Sequence, residues 1–208
     1  MLYGTLPCFG IHRKRLSYTL RIAFTYLALL ALVASTAMLL RRVFEVKNNL
    51  FLYHIFTPVE YLLFCLIYYR AFESSVLRKS VLWSIIGFVV VCIYLSLFVE
   101  PLEINNSYAK VIESLLITVW VLLYFRQLVS ADKIINFNKE PLVWISLGLL
   151  TYFIGNLFTE GMFNLLVKEY APLAQRLYSY TYLFEYNLFL QMNIALFCRQ
   201  IFKENAKT

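Results

Sequence analysis

The chain has 208 residues, of which 61% are hydrophobic, 18% are aromatic and only 15% are charged. Soluble domains are nearer a quarter charged, so this composition excludes a water-soluble globule and predicts an integral membrane protein. The net charge of +7 does not indicate nucleic-acid binding, because the basic residues lie at the ends of apolar segments and form no stripe. The expected partner is therefore the lipid bilayer, not nucleic acid.

Six segments are long and apolar enough to cross a membrane as α-helices. A hydrocarbon core about 30 Å thick needs about 20 helical residues. The predicted spans are residues 20–40, 49–70, 80–100, 107–126, 141–161 and 177–199. Barrel strands would instead be short and alternating, whereas these segments are apolar on every side. The sequence predicts an all-α, polytopic transmembrane helix bundle that forms a single domain over residues 1–208.

The N-terminal segment resembles the end of a longer helix. Residues 1–10 are mostly apolar but too short to span, and Arg13, Lys14 and Arg15 follow them. A secretory signal would place its positive charges first, so none is predicted. We expect the natural start to lie further upstream, with a seventh helix before the six.

The distribution of Lys and Arg predicts the orientation of the bundle. With six spans, the side that holds both termini carries 13 basic residues and the opposite side carries 6. Positive charge marks the cytoplasmic side, so both termini are expected in the cytoplasm of a cell with an inner membrane. Trp83 and Trp144 support this orientation, since each lies at a predicted cytoplasmic entry, where an indole can sit among lipid headgroups. Arg41 and Arg42, in the first outer loop, run against the rule.

Signatures of catalysis and of metal binding are scarce. The four cysteines stand apart from one another and from the two histidines, so neither a disulfide framework nor a metal site is predicted. The chain lacks the common hydrolase, metalloprotease and phosphate-loop motifs. No catalytic residue and no cofactor is predicted, and enzymatic activity is left open but not favoured.

Several ionisable and polar residues fall inside the predicted spans, where each is costly unless it is paired or hydrated. They lie in the outer halves of four helices and would line one polar cavity if those helices pack together. The candidate ligand-binding residues are His54, Glu60, Glu113, Asn156 and Glu185.

Two of these candidates have simple structural alternatives. Glu113 lies three residues after Lys110, so the two side chains could merely form an ion pair at the interface. Pro58 lacks a backbone N–H and leaves a carbonyl without its helical partner. His54 or Thr57 could satisfy the backbone at that kink.

Glu60 and Glu185 are harder to explain in this way. Neither has a Lys or Arg within one helical turn, so each needs a partner on another helix, water, or a bound proton. Asn187 and Gln191 share a stripe of the sixth helix, where such amides usually bond across helices.

Three stretches resemble a family of small bacterial polytopic membrane proteins. They are residues 48–61 (NNLFLYHIFTPVEY), residues 104–108 (INNSY) and residues 144–156. Members of that family resemble the seven-helix membrane portions of sensor histidine kinases. The resemblance implies that His54, Pro58, Glu60 and Asn156 matter to the family, without assigning their chemistry.

Three classes of function remain open. The first is a sensory or accessory signalling module without enzyme activity, whose outer pocket binds a small ligand or a proton. Only nine residues follow Arg199, so its signal is expected to pass through a membrane partner such as a kinase or regulator. The second is a substrate-binding transporter subunit. The third is a lipid hydrolase that uses Glu60 and Glu185 as an acid–base pair.

Overall fold

The structure is a computed structural model that describes residues 18–46, 48–130 and 136–201. Within these ranges the chain forms α-helices and one short 3₁₀ helix, and no strand. The helices are α1 (Tyr18–Arg42), α2 (Phe51–Ala71), α3 (Ser75–Phe98), α4 (Ser107–Val129), α5 (Pro141–Glu169) and α6 (Ala171–Ile201). The 3₁₀ helix covers Phe137–Lys139. The all-α prediction is confirmed.

Five of these helices are long and apolar enough to cross a membrane, namely α1 to α4 and the Pro141–Gly161 part of α5. The shortest has 21 residues, about 31 Å at 1.5 Å per residue, which matches the hydrocarbon thickness. The chain is thus a helical membrane protein.

The sixth helix is the longest, at 31 residues, but it is not among the five. Its predicted span contains Glu185, Asn187, Gln191 and Asn193, which lower its apolar character. The span over residues 177–199 stays a prediction. The expected seventh helix involves residues 1–17, which lie outside the described residues.

The helices group into two compact units, Met1–Glu113 and Ser114–Thr208. The predicted single domain over residues 1–208 stays a prediction.

In the first unit, α2 packs against both α1 and α3. The fully buried ring of Tyr26 on α1 lies against Phe56 and Phe64 of α2, with ring centroids 6.3 and 4.7 Å apart. Tyr61, on α2, packs on Phe88 of α3 at 4.4 Å. Aromatic contacts of this kind let helices pack closely where lipid supplies no hydrophobic driving force.

In the second unit, α5 and α6 form an antiparallel hairpin that turns at Tyr170. Pro141 begins α5 because its fixed φ suits the first helical position. A Cβ atom at Gly148 would lie 2.8 Å from Gln191, and one at Gly155 would lie 2.3 Å from the ring of Phe184. The two glycines therefore allow a close approach that a larger residue would prevent.

Candidate functional site

The first unit brings together three ionisable side chains from α2 and α4. Glu60 lies nine residues after the start of α2, and Lys110 and Glu113 lie three and six residues after the start of α4. At 1.5 Å per residue both carboxylates lie about 9–13 Å along their helices. Hydrogen bonds from His54 and Asn106 place the beginnings of these helices side by side.

Lys110 links the two carboxylates. Its Nζ donates to Oε2 of Glu60 and, at 3.0 Å, to Oε2 of Glu113. The side chain of Lys110 is 13% exposed, whereas those of Glu60 and Glu113 are 1% and 0% exposed. We call these three residues the charged triad. Glu60 thus finds the partner on another helix that the sequence analysis required.

The second oxygens of both carboxylates are buried and have no hydrogen-bond partner in the described part of the chain. These atoms are Oε1 of Glu60 and Oε1 of Glu113. With both carboxylates ionised the triad would carry one net negative charge. Such a charge, withdrawn from water, is costly, so the triad is suited to bind a positive ligand.

His54 fastens α2 to its neighbours through both ring nitrogens. Nε2 lies 3.0 Å from the carbonyl oxygen of Ile104, and Nδ1 lies 2.8 Å from Oγ of Ser96. A carbonyl oxygen can only accept a hydrogen bond, so Nε2 is the nitrogen that carries the proton. In that tautomer of the neutral ring, Nδ1 accepts a hydrogen bond from the hydroxyl of Ser96. The ligand role of His54 stays a prediction, and this geometry favours a structural role.

Asn106 secures the helix near the proline. Its Nδ2 donates to the carbonyl of Tyr53 at 3.2 Å and to Oγ1 of Thr57 at 2.7 Å. Thr57 in turn donates to the Tyr53 carbonyl at 2.9 Å. These bonds satisfy the carbonyl of Tyr53, whereas the carbonyl that Pro58 leaves without its helical partner is that of His54, so the role of Thr57 at the kink stays a prediction.

The connection that precedes α4 is anchored as well. Glu100 is 2% exposed, and its Oε2 accepts the backbone N–H of Tyr108 at 3.0 Å. This carboxylate caps the positive end of the α4 dipole. Together with the bonds of His54 and Asn106, it fixes the beginning of α4 and therefore the position of Lys110.

The other two predicted site residues belong to the second unit. Asn156 is 5% exposed on α5, where Thr159 donates to its backbone carbonyl at 3.3 Å. Glu185 is half-buried on α6. The neighbouring Asn187 donates to Thr151 of α5, as expected for an amide that bonds across helices. A single cavity shared with His54, Glu60 and Glu113 stays a prediction.

Lys110 was not predicted as a site residue and was considered only as a possible partner of Glu113. Two features pointed to it: a position three residues before Glu113, and an unpaired Glu60 in a neighbouring predicted span. Asn106 and Ser96 were missed too, since their bonds depend on which helices are neighbours.

The described residues contain no cluster of three or more His, Cys, Asp or Glu side chains that could hold a metal ion. Cys65, Cys92 and Cys198 are buried free thiols, and Cys8 lies outside the described residues. Among protein-family models, curated proteins and solved structures, none matches this chain. The resemblance to membrane portions of sensor kinases stays a prediction.

Proposed function

We propose that this protein is a sensory or accessory signalling module of a bacterial inner membrane, without enzymatic activity of its own. Its ligand-binding site is the charged triad, and its output passes to a partner protein in the same membrane. The observation that carries this proposal is one lysine shared between two carboxylates buried inside apolar helices.

The energetic cost of burying three ionisable side chains supports a role other than stabilising the fold. An ionisable side chain in a membrane span is expensive, and such residues usually mark ligand sites, proton relays or ion pathways. A purely structural contact between α2 and α4 would be made more cheaply by apolar residues. Here three ionisable groups are kept together, and within the described ranges two of their carboxylate oxygens have no hydrogen-bond partner.

The position of the triad suits control of helix packing. Lys110 and Glu113 belong to α4, and Glu60 belongs to α2, so a change of charge alters the attraction between two helices. Because His54 bonds to Ser96 of α3, a shift of α2 is transmitted to α3 as well. Ligand binding therefore has a physical route to a change in the shape of the first unit.

The other two classes of function have weaker support. The lipid-hydrolase hypothesis uses Glu60 as one half of an acid–base pair with Glu185, but Glu60 is hydrogen-bonded to Lys110 instead. For a transporter subunit, no feature of the described residues identifies a substrate pocket.

The proposed orientation places both termini in the cytoplasm and the triad in the outer half of the membrane. The excess of Lys and Arg on the side of the termini supports it. The beginnings of α2 and α4 then face outward, so the triad lies within reach of solutes outside the cell.

Affinity purification from the native host in mild detergent, followed by mass spectrometry, tests the proposal. Recovery of a kinase or regulator is the expected result. An ATPase with a membrane coupling subunit would move the assignment to transport, and a protein that purifies alone would contradict a signalling module.

Variants sharpen this experiment. Glu113→Gln leaves the ion pair between Glu60 and Lys110, which has no net charge. This variant is expected to change the amount of partner protein that co-purifies. Ile93→Ala, on an exposed part of α3, is the matched control and should leave the yield unchanged.

A further inference from the structure

The chemistry of the triad identifies its ligand. We infer that the Glu60–Lys110–Glu113 triad binds a single proton, which its two carboxylates share as one unit. This inference rests on the proposed function only in taking the triad as the ligand site. The proton is transferred from a hydronium ion of the surrounding water: one O–H bond of the hydronium breaks, one O–H bond forms on a carboxylate, and a water molecule is left.

Charge balance is the first argument. Two ionised carboxylates and one ammonium leave one negative charge, which a single proton neutralises. The cost of burying an unbalanced charge in an apolar surrounding is several kcal/mol or more. A second proton would instead leave the ammonium without a counter-ion, so one proton is the favoured number.

The unpartnered oxygens are the second argument. Both Oε2 atoms are occupied by Lys110, while Oε1 of Glu60 and Oε1 of Glu113 are buried without partners among the described residues. A buried carboxylate oxygen without a donor leaves its negative charge unsolvated, so the site lacks the hydrogen bonds that would hold both carboxylates ionised. The site offers two such oxygens, one from each helix.

A metal cation fits this site less well. Ca²⁺ takes six to eight oxygen ligands and Mg²⁺ takes six. The triad offers two unoccupied carboxylate oxygens, and a lysine ammonium beside them repels a cation. A divalent ion would also leave the site with one net positive charge.

The other titratable groups that face the triad in the first unit do not neutralise its negative charge in place of a bound proton. The thiols of Cys65 on α2 and Cys92 on α3 lie within electrostatic range of Glu113. From α1, Tyr26 covers the stripe of α2 on either side of Glu60. His54 lies further toward the beginning of α2 and bonds to Ser96 and Ile104.

Infrared spectroscopy of the purified protein in lipid vesicles at neutral pH tests the inference, because a protonated carboxyl has its own C=O band. In the difference spectrum against the double variant Glu60→Gln/Glu113→Gln, the wild type should show a band equal to one carboxyl. Glu60→Gln should abolish that band, and so should Glu113→Gln, because either variant leaves a neutral pair with Lys110. The double Gln variant should remove no more than either single variant does.

Two further variants complete the test. Lys110→Met should double the band, because both carboxylates then need a proton. Glu103→Gln, in the exposed connection before α4, should leave it unchanged. Glu185 is present in all variants, so its contribution cancels in the difference spectra.

Absence of the band from the wild type, or its survival in either single Gln variant, would overturn the shared proton. The measurement needs no partner protein, so it can succeed where the partner search fails. Conversely, a captured partner without the band would leave the signalling proposal standing and remove only the proton.

Discussion

At the scale of single residues, Lys110 is the counter-ion of the two buried carboxylates of the triad. Its ammonium is the group that lets two fully buried carboxylates lie on neighbouring helices. If Lys110 is removed, both carboxylates lose their counter-ion and each must bind a proton. If one carboxylate is removed, a neutral ion pair remains. The three residues are therefore unequal, and substitutions should distinguish them.

We predict that Lys110→Met lowers the free energy of unfolding by about 3–5 kcal/mol, the usual cost of removing one partner of a buried ion pair. Single Gln variants of Glu60 or Glu113 should cost clearly less. The triple variant Glu60→Gln/Lys110→Met/Glu113→Gln should recover part of the loss, because no buried carboxylate then has to bind a proton. Unfolding in mild detergent measures these differences, and a Lys110→Met variant as stable as Ile93→Ala would contradict the prediction.

A site residue could be predicted from the sequence where its own side chain is energetically costly inside a membrane span. Glu60 stood out because no basic residue lies within a turn of it, and its partner is indeed on another helix. The identity of that partner could not be predicted, since it lies 50 residues away and depends on how α2 and α4 pack. Similarly, Thr57 was recognised beside Pro58, but the bond from Asn106 was not.

At the scale of elements, α5 and α6 depend on small residues at their contact. A Cβ atom at Gly155 would lie 2.3 Å from the ring of Phe184, which is closer than real contacts allow. By contrast, a Cβ atom at Gly87 of α3 would meet nothing within 4 Å. The two glycines thus offer a matched pair of substitutions in apolar helices.

We predict that Gly155→Ala lowers the free energy of unfolding by about 1–3 kcal/mol, as overpacking usually does. Gly87→Ala should be neutral or slightly stabilising, because Ala favours the helix and meets no neighbour. Thermal unfolding in detergent compares them. The double variant Gly155→Ala/Phe184→Ala should be more stable than Phe184→Ala alone. If Gly155→Ala and Gly87→Ala change the free energy of unfolding equally, the close contact at Gly155 is absent.

The helices themselves were largely predictable, because length and apolar composition decide them in a membrane. The predicted starts at residues 107 and 141 coincide with the starts of α4 and α5. Helix α3 begins earlier than its predicted span, at Ser75, because Ser74 caps it with a side chain that accepts from Leu77 N–H. The ends of helices depend on caps and turns, which apolar composition does not reveal.

At the scale of the whole molecule, the number of spans sets the side of the C-terminus. Five helices meet the length and composition of a span, and α6 is a helix of sufficient length with more polar residues. If α6 also crosses, the termini share one side of the membrane. If α6 does not cross, they lie on opposite sides.

We predict that α6 crosses, because the positive charge on the side of both termini favours six spans. A reporter fused after the last residue should be active only in the cytoplasm, and so should one fused before the first. A C-terminal reporter found outside, with the N-terminal one inside, would show that the chain has an odd number of spans.

The charged triad is expected to lie inside the hydrocarbon core and not at the aqueous boundary. Val59 precedes Glu60 and is exposed on the surface of α2, so it reports the depth of the triad. Leu102, which is exposed in the connection before α4, is the matched control at the boundary. Each is changed to Cys in a background without other cysteines and labelled with a nitroxide in vesicles.

The measurement compares the access of dissolved oxygen, which concentrates in lipid, with that of a water-soluble nickel chelate. We expect oxygen to reach the label at Val59→Cys far better than the chelate does. At Leu102→Cys, the chelate should reach the label better than oxygen does. Equal access of the chelate to both positions would place the triad in water. The charge-balance argument, and the proton site built on it, would then be wrong.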